Sequence, residues 1–232
     1  HRPAWQEQLA SAVRSVDELL QLLHLDPNVA ATPLLHPDFP LRVPLSFVQR
    51  MDHGDCQDRM LLQVLPGAEE WREAAGFSSD PLEELGAMPS PGQLHKYPGR
   101  ALLTLTGACA VHCRYCFRRH FPYTDANPGS GHGQAAIDYL EKTPDVSELI
   151  LSGGDPLTLT AARLYSLTDR LKDIHHLRTL RIHTRLPVVL PARVDDCLIE
   201  WITSKPFRVV MVIHCNHPNE IDDSVIAALA KL

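Results

Sequence analysis

Three cysteines stand close together near the middle of this 232-residue sequence: Cys109, Cys113 and Cys116, separated by three residues and then by two. Thiolate sulfur is a soft ligand that suits iron–sulfur clusters and zinc. A cubane cluster takes four ligands, so three cysteines would leave one iron open to a substrate or cofactor, whereas a closed electron-transfer site needs a fourth cysteine. The spacing therefore predicts a 4Fe-4S cluster with one open iron.

Two other interpretations of these cysteines stay open. The first is three buried, inert thiols, although buried cysteines seldom cluster this tightly between polar residues. The second is zinc with His112 or His120 as the fourth ligand, although structural zinc motifs usually bring a second ligand pair and no second CxxC pair follows. The remaining cysteines lie far apart along the chain and are interpreted as structural: Cys56, Cys197 and Cys215.

The composition is that of an ordinary globular protein, with 44% hydrophobic and 22% charged residues. The formal net charge of -6 provides no surplus of Lys and Arg to neutralise phosphates, so we expect no nucleic-acid partner. The sequence shows neither a long apolar run that could span a bilayer nor an apolar N-terminal stretch of signal-peptide length, so we expect no membrane partner. Together with crowded cysteines that suit reduced thiols, these features predict a cytoplasmic protein.

Downstream of Gly99, short apolar strands alternate with helical patterns, which is typical of an α/β fold. The predicted strands are Ala101–Thr106, Leu149–Ser152, Thr179–Thr184 and Arg208–His214. Four βα units are visible and the chain stops after the fourth helix, so we expect a partial (β/α) barrel over residues 97–232. Because right-handed crossovers leave the strand carboxyl ends at one rim, the chemistry is expected on the loops after the strands.

The region before the barrel, residues 1–96, is expected to be mainly helical. Apolar residues recur at helical spacing from Trp5 to Leu23, which predicts a first amphipathic helix. Asp80 followed by Pro81 predicts the start of another helix, with Asp80 as its N-cap. The chain is therefore divided into a helical N-terminal region and a barrel domain.

The cysteine spacing, the aromatic Tyr115 just before the last cysteine and the position after the first predicted strand together resemble the radical S-adenosylmethionine (SAM) superfamily. The resemblance implies that the amino and carboxylate groups of SAM chelate the open iron. It also implies that the reduced cluster donates one electron and cleaves SAM to methionine and a 5′-deoxyadenosyl radical, which abstracts a hydrogen from the substrate. An electron-donor protein is implied as a partner.

A glycine-rich segment, Ser152–Leu157, follows the second predicted strand and resembles the segment that meets the amino group of SAM in this superfamily. Glycines let the backbone approach a ligand closely, and Asp155 can accept from an ammonium; a plain strand-to-helix turn is the alternative interpretation. His214 ends the fourth strand and Arg185 follows the third, so both are expected to face the site from the rim. The predicted SAM-binding residues are Tyr115, Ser152, Gly153, Gly154, Asp155 and His214.

Further stretches are similar to the lysine 2,3-aminomutases, a branch of that superfamily. They are His95–Arg100, Cys116–His120, Arg181–Pro187 and His214–Glu220. The stretches Gly76–Glu84 and Cys113–Tyr123 look most like the branch that serves (R)-β-lysylation of elongation factor P. This resemblance implies conversion of (S)-α-lysine to (R)-β-lysine with pyridoxal phosphate (PLP) as a further cofactor. It also implies a separate lysyl ligase that attaches the product to elongation factor P.

The resemblance assigns roles to three basic residues. Arg118 matches the family arginine that grips the substrate carboxylate, a task suited to a planar fork with two parallel hydrogen bonds. Lys96 and Arg100 match the two basic positions that contact the PLP phosphate. The family usually has arginine at the first of these, so Lys96 departs from the pattern.

Family members carry further βα units, which supply the lysine that holds PLP and the acidic residues that bind the distal amine of lysine. We expect those units and the PLP lysine to be absent from this chain, so its catalytic residues stay unassigned. Residue chemistry alone does not separate lysine from another amino acid, and a radical SAM enzyme for a different amino acid stays open. A non-catalytic zinc or iron–sulfur module is the third hypothesis.

Overall fold

A five-stranded mixed sheet forms the centre of the molecule. The computed structural model describes residues 3–29, 39–67, 70, 75–123 and 132–232. The strands are β1 (Gln93–Tyr97), β2 (Arg100–Thr106), β3 (Glu148–Gly153), β4 (Thr179–Thr184) and β5 (Arg208–Ile213). They lie side by side in chain order, with β1 antiparallel to β2 and with β2 to β5 parallel to one another. Each parallel neighbour therefore needs a crossover connection.

Helices provide these crossovers. Within the described residues, the α-helices are α1 (Ala4–Ala10), α2 (Val16–Leu22), α3 (Leu45–Val48), α4 (His132–Glu141), α5 (Ala161–Leu171), α6 (Leu186–Val189), α7 (Asp196–Thr203) and α8 (Asp223–Leu229). At least one helix follows each of the strands β2 to β5, which confirms the four predicted βα units. Thr160, Asp195 and Asp222 cap α5, α7 and α8 by accepting the backbone N–H three residues on. In this part of the chain, no helix is both long and apolar enough to cross a membrane.

The middle strands bury one face of the sheet completely, because β3 is buried from Leu149 onward and β4 alternates buried with half-buried residues. Leu149 and Leu151 of β3 and Leu180 and Ile182 of β4 are all fully buried. Leu151 pairs with Leu103 of β2 on one side and with Ile182 on the other. This register brings the carboxyl ends of β2 to β5 to one rim, where the loops with the predicted site residues begin.

Residues 93–106 form a β-hairpin that was not predicted. Tyr97 pairs with Arg100 across Pro98 and Gly99. Gly99 has a φ of +78°, which glycine adopts readily at the third position of a type II turn that has proline at the second. The Pro98–Gly99 pair, interpreted as the change from one region to the next, is thus a hairpin turn. The division of the chain at residue 97 stays a prediction.

The described part of the N-terminal region is less helical than predicted. The first predicted helix is two helices, α1 and α2, because the chain between them extends where Val13 pairs with Val43. The prediction of an α-helix that starts at Asp80 is wrong. The carboxylate of Asp80 accepts the N–H groups of Glu84 and Leu85, and a single 3-10 turn follows.

Arg193 lies in the 3-10 turn that follows α6 and contacts both α1 and the loop after β3. Its buried Nε donates to the carbonyl of Leu157 at 2.7 Å and its Nη2 to that of Leu159 at 3.4 Å, while its guanidinium lies 4.7 Å from the Trp5 ring centroid. Arg193→Met leaves these carbonyls without their donors, so we expect the free energy of unfolding to fall by about 2–4 kcal/mol. Guanidinium chloride denaturation measures this, with Arg163→Met on the exposed side of α5 as the control. An equal loss of unfolding free energy in Arg193→Met and Arg163→Met would contradict this stabilising role of Arg193.

Candidate active site

A cavity of about 600 Å³ lies against the sheet and reaches the loops after β2, β3, β4 and β5. A volume of this size suits a cofactor or a small-molecule ligand. Every site residue predicted from the sequence lines it: Lys96, Arg100, Cys109, Cys113, Tyr115, Cys116, Arg118, Ser152, Gly153, Gly154, Asp155 and His214. The structure therefore brings the predicted cluster, SAM, substrate and PLP-phosphate residues to one place.

The cysteine loop, residues 107–116, follows β2 and is held in place by the N-terminal region. The N–H of His112 donates to the carbonyl of Arg42 at 2.9 Å, and the N–H of Arg114 donates to the carbonyl of Gln63 at 2.9 Å. These backbone bonds fix the loop on both sides of Cys113. The N-terminal region thus shapes the site even though none of the predicted ligands lies in its first 90 residues.

Neither histidine considered as a zinc ligand lines the cavity. The Nδ1 of His112 lies 2.6 Å from the carbonyl oxygen of Pro40, and its ring stacks on Phe39 at 4.7 Å between centroids. Within the described residues, no three His, Cys, Asp or Glu side chains are arranged to hold a single metal ion.

The cysteine thiols share a buried and electrostatically crowded pocket. Burial raises the pKa of the Cys109 thiol well above its usual value, and the negative charges of Asp155, Cys116 and Cys113 raise it further. Burial also raises the pKa of Cys116. Metal binding needs thiolates, so cluster assembly releases protons here, and the positive charge of iron offsets the repulsion among the sulfurs.

Gly153 and Gly154 let the end of β3 approach the cysteine loop. Gly153 has a φ of +122°, and a Cβ on it would lie 2.5 Å from the carbonyl oxygen of Thr106. A Cβ on Gly154 would lie 2.4 Å from the carbonyl oxygen of Ala108, which also accepts the N–H of Asp155 at 2.8 Å. In the structure the two glycines approach protein backbone, at Thr106 of β2 and Ala108 of the cysteine loop, and their predicted approach to a ligand stays a prediction.

Gly154→Ala is expected to lose roughly half or more of its cluster after anaerobic reconstitution, because a backbone carbonyl in a packed interior cannot move aside as cheaply as the end of a side chain. Iron and sulfide content per chain measure the loss. Gly86→Ala is the matched control, since a Cβ on Gly86 meets no atom of the described residues within 4 Å. Full cluster content in Gly154→Ala would contradict the packing described for the loop.

Asp155 ties the loop after β3 to the end of β4. Its buried carboxylate accepts the Thr184 hydroxyl at 2.8 Å and the N–H groups of Arg185 at 2.7 Å, Leu157 at 3.0 Å and Leu186 at 3.2 Å. Burial raises the pKa of Asp155 to about 6, while these hydrogen bonds act in the opposite direction. The carboxylate is thus engaged within the protein, and its predicted contact with the amino group of SAM stays a prediction.

Arg185 joins the cysteine loop to the N-terminal region and to the loop after β5. Its Nη1 donates to the Cys113 sulfur at 2.8 Å and to the Tyr115 hydroxyl at 2.6 Å. Its Nη2 donates to Gln63 Oε1 at 2.6 Å and to Glu220 Oε2 at 3.1 Å. Burial alone would raise the pKa of Glu220, but the charge of Arg185 and hydrogen bonds hold it below its usual value. The two residues therefore form a buried ion pair beside the cysteines.

One atom of this network has no partner. The Nε of Arg185 is buried and makes no hydrogen bond to any described residue. An unpaired buried donor is costly, and a carboxylate from a ligand would satisfy it. Three thiols on one loop and this orphaned cationic donor beside them therefore fit a cluster with SAM bound to it.

His214 lies at the rim beside Tyr115, with 6.0 Å between their ring centroids. Its Nε2 lies 2.6 Å from Asn216 Oδ1, and the Asn216 amide also donates to Gln63 Oε1 at 2.9 Å and to the Tyr115 hydroxyl. Burial raises the pKa of Tyr115, which keeps the phenol protonated. These polar groups hold the two rings at the edge of the cavity.

Arg118 forms a buried ion pair with the carboxylate of Glu84. Its Nε and Nη2 donate to the two carboxylate oxygens of Glu84 at 2.9 and 2.7 Å, and its Nη1 donates to the Ser152 hydroxyl at 3.0 Å. The guanidinium also packs 4.9 Å from the Phe117 ring centroid. Arg118 is therefore fixed at the cavity wall beside the glycine segment, and its binding of the substrate carboxylate stays a prediction.

Lys96 and Arg100 line the other end of the cavity. Both belong to the β1–β2 hairpin, at the amino end of β2 and roughly 20 Å along that strand from the cysteine loop. The Lys96 ammonium donates to the carbonyl of Leu82, and the Nε of Arg100 lies 3.8 Å from the Glu148 carboxylate. The cavity thus has a thiol-rich end and a basic end.

Three polar residues of the site were missed from the sequence: Gln63, Glu84 and Glu220. Gln63 carried a signal, because it is the polar residue within the apolar run Leu61–Leu65 and is buried. Glu84 and Glu220 lie in the matched stretches Gly76–Glu84 and His214–Glu220, but the sequence does not distinguish Glu84 from its exposed neighbour Glu83 or indicate that Glu220 is buried. Both are buried because each pairs with an arginine of the site.

The fold and the site define an α/β protein with a cluster site of the radical SAM type. Residues 98–184 match the family described as a 4Fe-4S single cluster domain, which supports the cluster over zinc and over inert thiols. L-lysine 2,3-aminomutase of Escherichia coli (strain K12) is 45% identical over 233 residues, covering 100% of this chain and 68% of the relative. The chain belongs to the L-lysine 2,3-aminomutase family, as predicted. Members of this family use a 4Fe-4S cluster, SAM and PLP.

Other relatives with the same name extend the comparison. The protein of Haemophilus influenzae is 44% identical over 234 residues, covering 98% of this chain and 68% of the relative. That of Clostridium subterminale is 34% identical over 233 residues, covering 98% of this chain and 55% of the relative. The similarity therefore extends beyond the cysteine loop into the N-terminal region that packs against it.

Proposed function

We propose that this chain provides the cluster, SAM and substrate-carboxylate sites of an isomerase that converts (S)-α-lysine to (R)-β-lysine with a 4Fe-4S cluster, SAM and PLP. The observation that carries the proposal is the cavity, which unites the three cysteines with Arg118 and with two further basic residues. Lysine as the substrate is supported by three relatives at 39–45% identity that bear the name L-lysine 2,3-aminomutase.

We infer that β2 to β5 and their helices are four consecutive units of a (β/α) barrel of the radical SAM type. The parallel order of these strands supports this, as does the position of the cysteine loop, the glycine segment and Arg185 at their carboxyl ends. In this proposal residues 1–96 are a separate region, and β1, which begins at Gln93 and ends just past this region, pairs with the edge of the barrel as one arm of the hairpin.

At the thiol-rich end, Cys109, Cys113 and Cys116 hold the cluster. When bound and reduced, the cluster with SAM supplies the 5′-deoxyadenosyl radical. Gly154 keeps the cysteine loop against β3, and the unpaired Nε of Arg185 would donate to the carboxylate of SAM. The other residues proposed to surround SAM are Tyr115, Ser152, Gly153, Asp155 and His214.

At the other end, Lys96 and Arg100 provide positive charge for the phosphate of PLP, which when bound supplies the carbonyl that joins the substrate amine. An ammonium has three donors, so Lys96 can keep its hydrogen bond to Leu82 and still reach a phosphate oxygen. Arg118, beside the glycine segment, binds the substrate carboxylate. The substrate thus lies within reach of both ends of the cavity.

We further propose that the product serves a lysyl ligase that modifies elongation factor P, and that an electron-donor protein reduces the cluster. The similarity of Cys113–Tyr123 to the branch that serves elongation factor P supports the first statement. A cytoplasmic location is supported by the six cysteines, which are all free, as expected where thiols stay reduced.

The proposal is tested on protein reconstituted anaerobically with iron and sulfide and supplied with dithionite, SAM and PLP. Lysine, arginine and glutamate are offered in separate reactions, and mass spectrometry follows 5′-deoxyadenosine and the β-amino acids. β-Lysine formed from lysine supports the proposal. A β-amino acid formed only from arginine or glutamate would show that this amino acid, and not lysine, is the substrate. The absence of both 5′-deoxyadenosine and every β-amino acid would contradict the proposal.

A further inference from the structure

We propose that Glu84 positions Arg118 to receive the carboxylate of the substrate, an inference that rests on the proposed function of Arg118. Glu84 comes from the segment before β1, is 5% exposed and lines the same cavity. Both of its carboxylate oxygens are used on Arg118, at 2.9 and 2.7 Å. This two-bond fork fixes the plane of the guanidinium as well as its position.

The fork leaves the substrate-binding edge of Arg118 available. A guanidinium has five N–H donors, of which Glu84 takes one on Nε and one on Nη2. The Ser152 hydroxyl takes one on Nη1 at 3.0 Å, and the carbonyl of Gly153 lies at the long distance of 3.5 Å. Donors on Nη1 and Nη2 therefore remain for a second carboxylate, which would lie beside the glycine segment.

Glu84 is itself held in place by short-range contacts. The Asp80 carboxylate accepts the N–H of Glu84 at 2.9 Å and the N–H of Leu85 at 3.1 Å. The Lys96 ammonium binds the carbonyl of Leu82, which ties the same segment to β1. Glu84 is thus presented to Arg118 by an anchored turn, so the fork is already formed before a ligand arrives.

This arrangement lowers the net charge around Arg118 but fixes the orientation of its guanidinium. Glu84 neutralises Arg118, which weakens its attraction for anions in general, while the fixed guanidinium favours a planar carboxylate that can form hydrogen bonds to the remaining donors. The opposite role, an internal carboxylate that the substrate must displace, makes the opposite prediction for the KM of lysine. Displacement would leave the buried Glu84 without its partner, which is costly.

The test is steady-state kinetics of the reconstituted protein with lysine as the varied substrate. We expect Glu84→Gln to raise the KM for lysine roughly tenfold or more, the effect of losing a charged hydrogen-bonded partner, with a much smaller change in kcat. Glu84→Asp keeps the charge but shortens the reach, so its KM is expected between those of the wild type and Glu84→Gln. Glu83→Gln, on the exposed neighbour, is the matched control and is expected to leave both constants unchanged.

The outcomes separate this inference from the proposed function. A wild-type protein that forms no β-lysine would overturn the proposed function and the positioning role with it. A wild type that forms β-lysine, with KM unchanged in Glu84→Gln and Glu84→Asp at full cluster content, would overturn the positioning role alone. A lower KM in Glu84→Gln would also overturn it and would show that Glu84 competes with the substrate.

Discussion

Cys113→Ala is expected to contain almost no 4Fe-4S cluster after anaerobic reconstitution. In the proposed site each cysteine of the loop would ligate the cluster, and two thiolates do not hold a cubane firmly. Arg185, which donates to the Cys113 sulfur, is a cation with no lone pair to offer iron, so it cannot replace the lost thiolate. Iron and sulfide content per chain, together with the visible absorbance of the cluster, measure the loss.

Cys197→Ala is the control for this prediction, since Cys197 is an exposed thiol on α7 outside the residues that line the cavity. It is expected to bind as much iron as the unaltered protein. If Cys113→Ala kept the brown colour and the iron content of this control, the assignment of the cluster to the three cysteines would be wrong.

Arg118→Lys is expected to raise the KM for lysine roughly a hundredfold while the cluster and SAM cleavage are retained. A lysine ammonium is a point charge without the planar fork, so it cannot pair with Glu84 and with a substrate carboxylate in the same geometry. Substrate-independent formation of 5′-deoxyadenosine reports SAM cleavage, and β-lysine formation against lysine concentration gives the KM.

Arg163→Lys, on the exposed side of α5, makes the same chemical change away from the cavity and is expected to alter neither constant. An unchanged KM in Arg118→Lys would show that the substrate carboxylate binds elsewhere. Loss of the cluster in Arg118→Lys would instead show that Arg118 supports the cysteine loop, which ends two residues before Arg118 in the chain.

The strands and the cysteine site could be predicted because their signals are local. The apolar runs of β2 to β5 are short and are bounded by turn residues, and three thiols within eight residues must share one loop. Parallel connections then place the glycine segment, Arg185 and His214 at the same rim without any knowledge of tertiary contacts. All three line the cavity.

The remaining contacts could not be predicted because they join distant parts of the chain. Arg118 meets Glu84 from 34 residues away, and Gln63 meets Glu220 from 157 residues away. Nothing in the types or spacing of these residues indicates which acid is buried. The glycines illustrate the same limit, since they were predicted to approach a ligand, whereas the contact of Gly154 with the carbonyl of Ala108 is a tertiary contact that was not predicted.

The prediction of helices in the N-terminal region was inaccurate for a different reason. Its apolar residues recur at helical spacing, but helices this short depend on packing more than on propensity. Val13 instead pairs with the backbone of Val43, and this region supplies Gln63 and Glu84 to the site. Its polar contacts to the cavity, rather than its helices, are what the site depends on.

The most direct test of the central claim uses lysine labelled with deuterium at C3, given to the reconstituted protein with SAM, PLP and dithionite under anaerobic conditions. We predict that deuterium appears in 5′-deoxyadenosine or in recovered SAM and that β-lysine accumulates, because the cavity unites the three cysteines proposed to hold the cluster with Arg118, the proposed partner of the substrate carboxylate. Unlabelled 5′-deoxyadenosine without β-lysine, from a protein that holds a full cluster, would contradict the assignment of this cavity to lysine.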